Sequence, residues 1–309
     1  LTGNASAAAM GLASVALSAR GLGAELFGIF AVVQTYVRVV DGLVNFQSWQ
    51  AMIRYGIEAL KDEDPTRFHR LIKFGFLVDG LTAAAGGVVA ISLAWFWAGA
   101  FAWEGFSLGL VAIYAGLFML NVNGTPLAVL RMFDRFDAQA WARFVPEVVR
   151  LGALAGAFAL GAGLWWCVII WAICDALRPV LLMFTAGREL ARRGHGRFWR
   201  ASARGVSRAH RGVWRFLLSS NLTSSIKLVG RELDVLILAV MLGPVAAGGF
   251  KIAKLFAKAV GYVIEPVDEA IYPELARLWS AQHVRRFVRT ILTAGAALGT
   301  LGLAILAGL

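Results

Sequence analysis

Charged residues are scarce in this sequence. They make up 16% of its 309 residues, whereas hydrophobic residues make up 59%, and the mean hydropathy is +0.69. A soluble domain has roughly 25% charged residues, so the composition excludes an ordinary soluble protein. The apolar runs are long and unbroken, which excludes a transmembrane β-barrel built from short alternating segments. The sequence therefore predicts an all-α integral membrane protein that crosses the bilayer many times.

Cysteine and the common catalytic motifs are also rare or absent. Cys167 and Cys174 lie in one apolar run, and seven residues of helix place them about 10 Å apart, too far for a disulfide. The sequence has no HExxH motif, no Cys/His set with metal-ligand spacing and no Walker-type glycine loop. The four histidines lie in or beside basic loops: His69, His195, His210 and His283. We therefore predict no catalytic residue, no metal, no cofactor and no enzyme activity.

Basic residues outnumber acidic ones by 30 to 19, which gives a net charge of +11. The cations are concentrated in alternate loops, and the most basic loop covers residues 188–215. A basic surface can bind nucleic acid, but in a membrane protein this alternation marks cytoplasmic loops. We therefore predict a multi-pass protein of the inner (cytoplasmic) membrane with a cytoplasmic N-terminus. Its basic loops would contact anionic membrane lipids, and we predict no nucleic-acid partner.

About nine apolar segments are long enough to span a bilayer, which requires ~20 residues. They cover approximately residues 1–19, 26–52, 71–98, 106–130, 145–160, 165–184, 216–241, 248–265 and 290–309. We predict an N-terminal lobe of six helices over residues 1–187 and a basic cytoplasmic linker over 188–213. Residues 214–309 would form the first three helices of a second lobe.

Two parts of the sequence resemble each other at an offset of about 220 residues. The matches are Leu22, Gly23, Gly28 and Phe30 with Leu242, Gly243, Gly248 and Phe250, then Arg67, Phe68, Arg70 and Ile72 with Arg286, Phe287, Arg289 and Ile291. The offset covers six spans, an even number, so both copies run in the same direction. We predict two parallel six-helix lobes about an axis along the membrane normal. The second lobe is truncated here, and we expect the complete chain to continue for at least three more helices.

The eighth span carries a stripe of lysines. Lys251, Lys254 and Lys258 lie at positions i, i+3 and i+7, so they share one helical face. A cation at the bilayer centre costs at least ~2.5 kcal/mol, so either the lysines snorkel or pair with acids, or they line a polar cavity. The repeat favours the cavity, because Lys258 aligns with Arg38 and Lys254 with Gln34.

These positions form a predicted cation surface for an anionic substrate. Its members are Gln34, Arg38, Lys251, Lys254 and Lys258. Acids in the spans are predicted to act as coupling residues or as charge partners of the cations: Asp41, Asp79, Asp234 and Glu265.

The pattern LG-x4-G-x-F, followed by a span and a cytoplasmic loop, occurs once per predicted lobe. It resembles the multidrug/oligosaccharidyl-lipid/polysaccharide exporter superfamily, and within it the branch of Wzx-type O-antigen flippases. The resemblance covers essentially the whole sequence. It implies two bundles of six helices around a V-shaped central cavity. It also implies movement of an undecaprenyl-diphosphate-linked oligosaccharide to the outer leaflet for lipopolysaccharide or other surface polysaccharide synthesis, by alternating access with H+ or Na+ as coupling ion.

Three other functions remain open. A drug/cation antiporter of the same fold would favour unpaired carboxylates in its cavity, and Asp41 and Asp79 are the isolated acids of the first lobe. A membrane-embedded polysaccharide polymerase or ligase would be expected to have a large extracytoplasmic loop, whereas the corresponding loops here are short. A scaffold that transports nothing would not need charges at depth. The flippase is favoured because lysine and arginine are the natural partners of a diphosphate.

Overall fold

The computed structural model describes residues 2–46, 48–96, 105–203, 205–206 and 212–255, together with positions 257, 293 and 295. These residues form helices and loops with no strand among them, which confirms the all-α class. The helices are α1 (Thr2–Val44), α2 (Trp49–Lys61), α3 (Pro65–Phe96), α4 (Gly105–Phe118), α5 (Gly124–Met132), α6 (Phe136–Ala159), α7 (Leu164–Arg192), a 3-10 helix (Gly196–Arg200) and α8 (Val213–Leu242).

The chain divides into two compact units, Leu1–Phe250 and Lys251–Leu309. In the first unit, residues 244–250 form a further helical stretch after α8. In the second unit, residues 251–255 are helical. The lobe boundaries and the central V-shaped cavity stay predictions.

Several helices have the length and composition of membrane spans. Among the described residues these are the range Ser6–Lys61, which takes in α1 and α2, and the helices Pro65–Phe96 and Leu164–Arg192, with Leu108–Phe118 as a shorter apolar helix. Large apolar side chains point outward along α8: Leu222 is 62% exposed and Ile226 is 63% exposed. Exposed apolar side chains suit a helix surrounded by lipid rather than water. The protein is therefore a multi-pass membrane protein.

Two predicted spans contain breaks that the sequence analysis did not predict. α1 ends at Val44 and α2 begins at Trp49, inside the predicted span 26–52. α4 ends at Phe118 and α5 begins at Gly124, inside the predicted span 106–130. Both breaks contain asparagine, whose side chain competes with the helical hydrogen bonds of the backbone.

The glycines of the sequence repeat have matching structures. Gly23 kinks α1 with φ 75° and ψ 173°, and Gly243 ends α8 with φ 85° and ψ 173°, a region that is essentially restricted to glycine. Gly28 and Gly248, the next matched pair, lie in direct contact. A Cβ atom on Gly248 would sit 2.9 Å from the Cα atom of Gly28. The repeat thus has a counterpart in the backbone of the first unit.

Apolar packing fixes the helices relative to one another. One buried cluster, which includes Phe68 and Leu182, joins α3, α5, α6 and α7 to the 3-10 helix. A second, which includes Met52, Leu71 and Leu217, joins α2, α3, α5 and α8. α1 packs against α3, α4, α6, α7 and α8, and this central position brings its polar face against several neighbours.

Candidate functional site

The second half of α1 presents three polar side chains at helical spacing. Gln34, Arg38 and Asp41 lie at i, i+4 and i+7, so they share one face. Side chains from neighbouring helices meet this face in two hydrogen-bonded groups. We call the first the Asp175 network: Gln34, Arg38, Tyr114, Glu147, Arg150 and Asp175. We call the second the acid cluster: Asp41, Asn45, Ser48, Asp79, Asn121, Asn123 and Thr125.

Asp175 on α7 is the centre of the first group. Its Oδ2 atom accepts hydrogen bonds from Arg38 Nη2 at 3.0 Å and from the Tyr114 hydroxyl at 2.5 Å. Its Oδ1 atom accepts one from Arg150 Nη2 at 2.5 Å. Gln34 Nε2 donates to the Tyr114 hydroxyl at 3.1 Å. One carboxylate on α7 therefore links α1, α4 and α6.

Arg150 on α6 is the second branch point of the Asp175 network. Its Nη1 atom donates to both carboxylate oxygens of Glu147, at 2.8 and 2.9 Å. Its guanidinium carbon lies 4.2 Å from the centre of the Trp171 ring, in the geometry of a cation–π contact. The side chain is 5% exposed. Two carboxylates and an aromatic face therefore hold this cation in place.

Arg38 differs from Arg150 in its exposure, because 41% of its side chain is accessible. Arg178, one turn after Asp175 on α7, interacts with the charges of Asp175, Glu147 and Arg143, and Arg38 also interacts with Glu232 on α8. Four guanidiniums thus face three carboxylates, which leaves one excess positive charge. An accessible arginine beside an excess positive charge can bind an anion, and the guanidinium fork matches the geometry of phosphate oxygens.

Asp41 belongs to the acid cluster and lies where α1 ends. Its Oδ1 atom accepts a hydrogen bond from Asn45 Nδ2 at 3.2 Å, and its Oδ2 atom accepts one from Asn121 Nδ2 at 2.8 Å. Asn45 Nδ2 also donates to the backbone oxygen of Asn121 at 3.0 Å. The side chain of Asn121 in turn accepts a hydrogen bond from Asn123 Nδ2. Neutral amides, rather than a cation, therefore solvate this carboxylate.

Asp79 on α3 holds the start of α5. Its Oδ2 atom accepts the backbone N–H of Thr125 at 2.5 Å, and the Ser48 hydroxyl lies beside the same carboxyl group. Asp79 is only 1% exposed. Within the part of the chain that the structure describes, its Oδ1 atom has no hydrogen-bond partner, and neither Asp79 nor Asp41 takes part in an ion pair.

The remaining predicted residues lie elsewhere. Lys251 and Lys254 belong to the second unit, where both are partly buried. Lys258 and Glu265 fall outside the described residues. Asp234 on α8 accepts the backbone N–H of Val235 on its Oδ1 atom at 2.8 Å. The lysine stripe and the roles of these two acids stay predictions.

The sequence analysis did not assign four members of the Asp175 network to the site. These are Tyr114, Glu147, Arg150 and Asp175. Glu147 and Arg150 carry a local signal, because opposite charges at i and i+3 pair on a helix. Asp175 has the same local signal through Arg178, three residues later, but its partner Arg38 lies 137 residues away in the sequence. Pairing each acid in a span with cations on other spans would have given Asp175 as a candidate.

A further group of charges lies between α5, α6 and α7, at the loop end of these helices. Arg135 donates to the two carboxylate oxygens of Asp137 at 2.9 and 2.8 Å, and to Glu189 at 2.7 Å. The Arg135 guanidinium lowers the pKa of Asp137 to about 2. Arg193 Nε donates to Glu189 at 2.7 Å. α7 continues to Arg192, beyond its predicted end at residue 184. The ion pairs of Glu189 with Arg135 and Arg193 satisfy the charges of this added part of the helix.

Two histidines meet at the same end of the bundle. His69 Nε2 lies 3.1 Å from His195 Nδ1, so at least one of the two nitrogens must be unprotonated to accept the hydrogen bond. Burial lowers the pKa of His195, and the neighbouring His69 and Arg193 lower it further. The contact joins α3 to the loop after α7.

A comparison with known families identifies the chain. The family model described as polysaccharide biosynthesis protein matches residues 1–279. The chain belongs to the polysaccharide biosynthesis protein family. One relative is the inner membrane protein YghQ of Escherichia coli (strain K12), which is 29% identical over 275 residues, or 89% of this chain and 78% of that protein. No solved structure matches the chain significantly. The Asp175 network and the acid cluster both lie within residues 1–279, the part that matches the polysaccharide biosynthesis protein family. This match agrees with the resemblance seen in the sequence.

Proposed function

We propose that this protein is a flippase of the inner membrane. It would move an undecaprenyl-diphosphate-linked oligosaccharide from the inner to the outer leaflet by alternating access, without changing it covalently. Membership in a polysaccharide biosynthesis family supports a lipid-linked sugar as substrate. The name of the relative supports the inner membrane. The protein would therefore act as a transporter rather than as an enzyme.

The excess positive charge around the Asp175 network carries this proposal. A diphosphate that leaves the headgroup region loses its hydration, and cations must replace that water. Arg38 suits this role, because Asp175 orients its guanidinium while 41% of the side chain remains accessible. Gln34 would support the site through Tyr114. Lys251, Lys254 and Lys258 would supply further positive charge along the path.

Complementation of a strain that lacks its own flippase tests the proposal. Arg38→Ala should abolish most surface polysaccharide, whereas Arg38→Lys should retain part of it, because the charge persists without the bidentate fork. Arg70→Ala, an exposed arginine on α3, is the matched control and should behave as wild type. Protein level is checked by blot. Normal polysaccharide with Arg38→Ala at normal protein level would remove Arg38 from the transport path.

The lysine stripe has its own test in the same strain. Lys254→Ala and Lys258→Ala should each lose most of the activity, and the corresponding arginine variants should retain much of it. Lys251→Ala should be the most tolerated of the three. Full activity of the Lys254→Ala, Lys258→Ala double variant would show that the lysines only reach the lipid headgroups.

A drug/cation antiporter of the same fold is the second candidate. The specific observation in its favour is the acid cluster, where two buried carboxylates have no cation paired with them among the described residues. Efflux of a fluorescent organic cation by cells that express the protein distinguishes the two functions. The flippase proposal expects no such efflux, and efflux that Asp79→Asn abolishes would favour the antiporter.

The proposed orientation places the N-terminus and the basic loop around residues 188–213 in the cytoplasm. Ser202 lies in this loop and is exposed, and the two native cysteines are buried. A Ser202→Cys variant should therefore react with a membrane-impermeant maleimide only after the cells are permeabilised. Labelling in intact cells would reverse the predicted topology.

A further inference from the structure

An apolar cavity of about 370 Å³ opens at the loop end of α3 and α7, where the 3-10 helix packs against both. Its walls include Phe76 from α3, three residues of α7 and two of the 3-10 helix: Phe184, Gly187, Arg188, Phe198 and Trp199. The volume lies within the range of small-ligand pockets, about 300–1,000 Å³. The cavity shares no residue with the Asp175 network or the acid cluster, so it is a separate candidate site.

Aromatic rings form one wall of this cavity. Phe76 stacks on Phe198 with ring centres 5.5 Å apart, and the ring centre of Trp199 lies 4.3 Å from that of Phe198. Lys73 holds the 3-10 helix in place, because its Nζ atom donates to the backbone oxygen of Trp199 at 2.9 Å. Phe76 and Phe198 are buried, whereas 54% of Trp199 is exposed. The wall is therefore formed in advance, and its outer edge is open.

α7 forms the opposite wall. The Phe184 side chain is largely exposed, and a Cβ atom built on Gly187 would meet no atom of the described residues within 4 Å. The Arg188 guanidinium lies 5.8 Å from the centre of the Phe184 ring, and the side chain is exposed. This wall is therefore an apolar surface that ends at one cation, one turn closer to the basic loop.

The chemistry of the walls selects the occupant. Water held in a cavity needs about two to four polar partners, and Arg188 is the one charged residue of the lining. Hydrocarbon suits the rest of the space, because Trp199 and the arginines after α7 are typical of the membrane interface. Further exposed arginines follow at positions 192, 197 and 200. Within the described part of the chain none of these four arginines takes part in an ion pair, so their charge favours an anionic headgroup.

We propose that this cavity is a binding site for one anionic phospholipid of the adjoining leaflet, with an acyl chain between the aromatic wall and α7 and the phosphate on Arg188. The site is more than a general attraction of basic loops to anionic lipids, because it offers a defined place for the chain as well as for the headgroup. A bound lipid would fill the gap between α3 and α7 and hold the start of the basic loop against the helices. This inference does not rest on the proposed flippase activity.

Native mass spectrometry of the purified protein in detergent measures the binding of added lipids directly. The wild-type protein should bind dioleoyl-phosphatidylglycerol at least about fivefold more tightly than dioleoyl-phosphatidylcholine, the effect expected of one cation near a lipid phosphate. Arg188→Glu should lose this preference. Arg215→Glu is the matched control and should keep it: Arg215 is exposed at the start of α8, and its neighbour Trp214 packs on Phe74, two residues from Phe76 and hence on the other side of α3.

The chain-binding part of the site has its own variant. Gly187→Leu should fill the cavity and lose the binding of both lipids. Its fold should survive, because the new side chain enters open space and leucine favours a helix more than glycine does. Phosphatidylglycerol should raise the melting temperature of the wild-type protein by on the order of 3 °C in detergent. Gly187→Leu should lack this shift while melting at least as high as the wild type without lipid.

Four outcomes would overturn the site. The wild-type protein could bind the two lipids equally, Arg188→Glu could keep the preference that Arg215→Glu keeps, or Gly187→Leu could bind phosphatidylglycerol as the wild type does. The fourth is tighter binding of undecaprenyl phosphate than of phosphatidylglycerol. That result would assign the cavity to the tail of the transported substrate instead of a lipid of the surrounding membrane.

Discussion

The Asp175 network and the acid cluster stabilise buried carboxylates in different ways. Both place carboxylates inside a bundle of membrane-spanning helices, and α1 contributes to both through Arg38 and Asp41. In the network, arginines neutralise the acid at distances of 2.5 and 3.0 Å. In the cluster, amides and a backbone N–H surround the acids, and charge is left over. The arginines neutralise Asp175, whereas neutral dipoles hold Asp41 and Asp79, which have no paired cation among the described residues.

The largest expected effect comes from breaking the network at its centre. Asp175→Asn removes the charge that two arginines share and leaves Arg150 buried with Glu147 alone. Breaking one partner of a buried ion pair costs about 3–5 kcal/mol, so the melting temperature should fall on the order of 10 °C. Asp137→Asn breaks an exposed pair and should cost at most about 1 kcal/mol. Equal melting temperatures for the two variants would contradict the central role of Asp175.

The next prediction separates the two arginines of the network. Arg150→Gln should destabilise the protein more than Arg38→Gln, because 5% of the Arg150 side chain is exposed against 41% of that of Arg38. We expect a difference of about 2 kcal/mol, since a buried pair costs more to break than an accessible one. Transport should show the opposite order. For an equal loss of melting temperature, Arg38→Gln should reduce transport more than Arg150→Gln. A more stable Arg150→Gln variant would contradict this assignment of structural and binding roles.

The corresponding change in the acid cluster should be mild. Asp41→Asn keeps one acceptor oxygen, and Asn45 or Asn121 can turn its amide to suit the new side chain. The expected cost is one hydrogen bond, about 1 kcal/mol, measured as a change in melting temperature beside Asp175→Asn. A loss as large as that of Asp175→Asn would mean that Asp41 also neutralises a cation. That result would contradict the contrast between the network and the cluster.

The smallest expected effect lies outside both regions, at the pair of histidines. The pKa of His195 is lowered in the folded protein, from an ordinary value of about 6.5. Its neutral form therefore stabilises the fold above that pH, and this contribution is lost as the pH falls through the lowered pKa. The wild-type protein should lose more melting temperature between pH 7.5 and pH 5.5 than His195→Gln does. An equal loss in both proteins would show that the histidine pair is not responsible.

The sequence predicted the fold better than the site, for a physical reason. Long apolar runs follow from the thickness of the bilayer, so most of the helices were visible without a structure. Gln34 and Arg38 share one helical face because their spacing of four residues is local, while their place on a substrate surface stays a prediction. The partner of Arg38 was missed because its contact with Asp175 depends on how α1 packs against α7. The breaks between α1 and α2 and between α4 and α5 were missed because the apolar residues on both sides make each run look continuous.

The contact between Gly28 and Gly248 gives a physical reason for glycine at both of these matched positions. The two matched positions touch through backbone atoms, so no change of neighbouring side chains can substitute for the missing Cβ. The bend of Gly23, which Gly243 reproduces, is equally insensitive to the surrounding chemistry. A side chain at Gly28 would also collide with the backbone of Pro244. These two glycines therefore set how closely the helical stretch 244–250 can approach α1, and a methyl group at either position would force the two backbones apart.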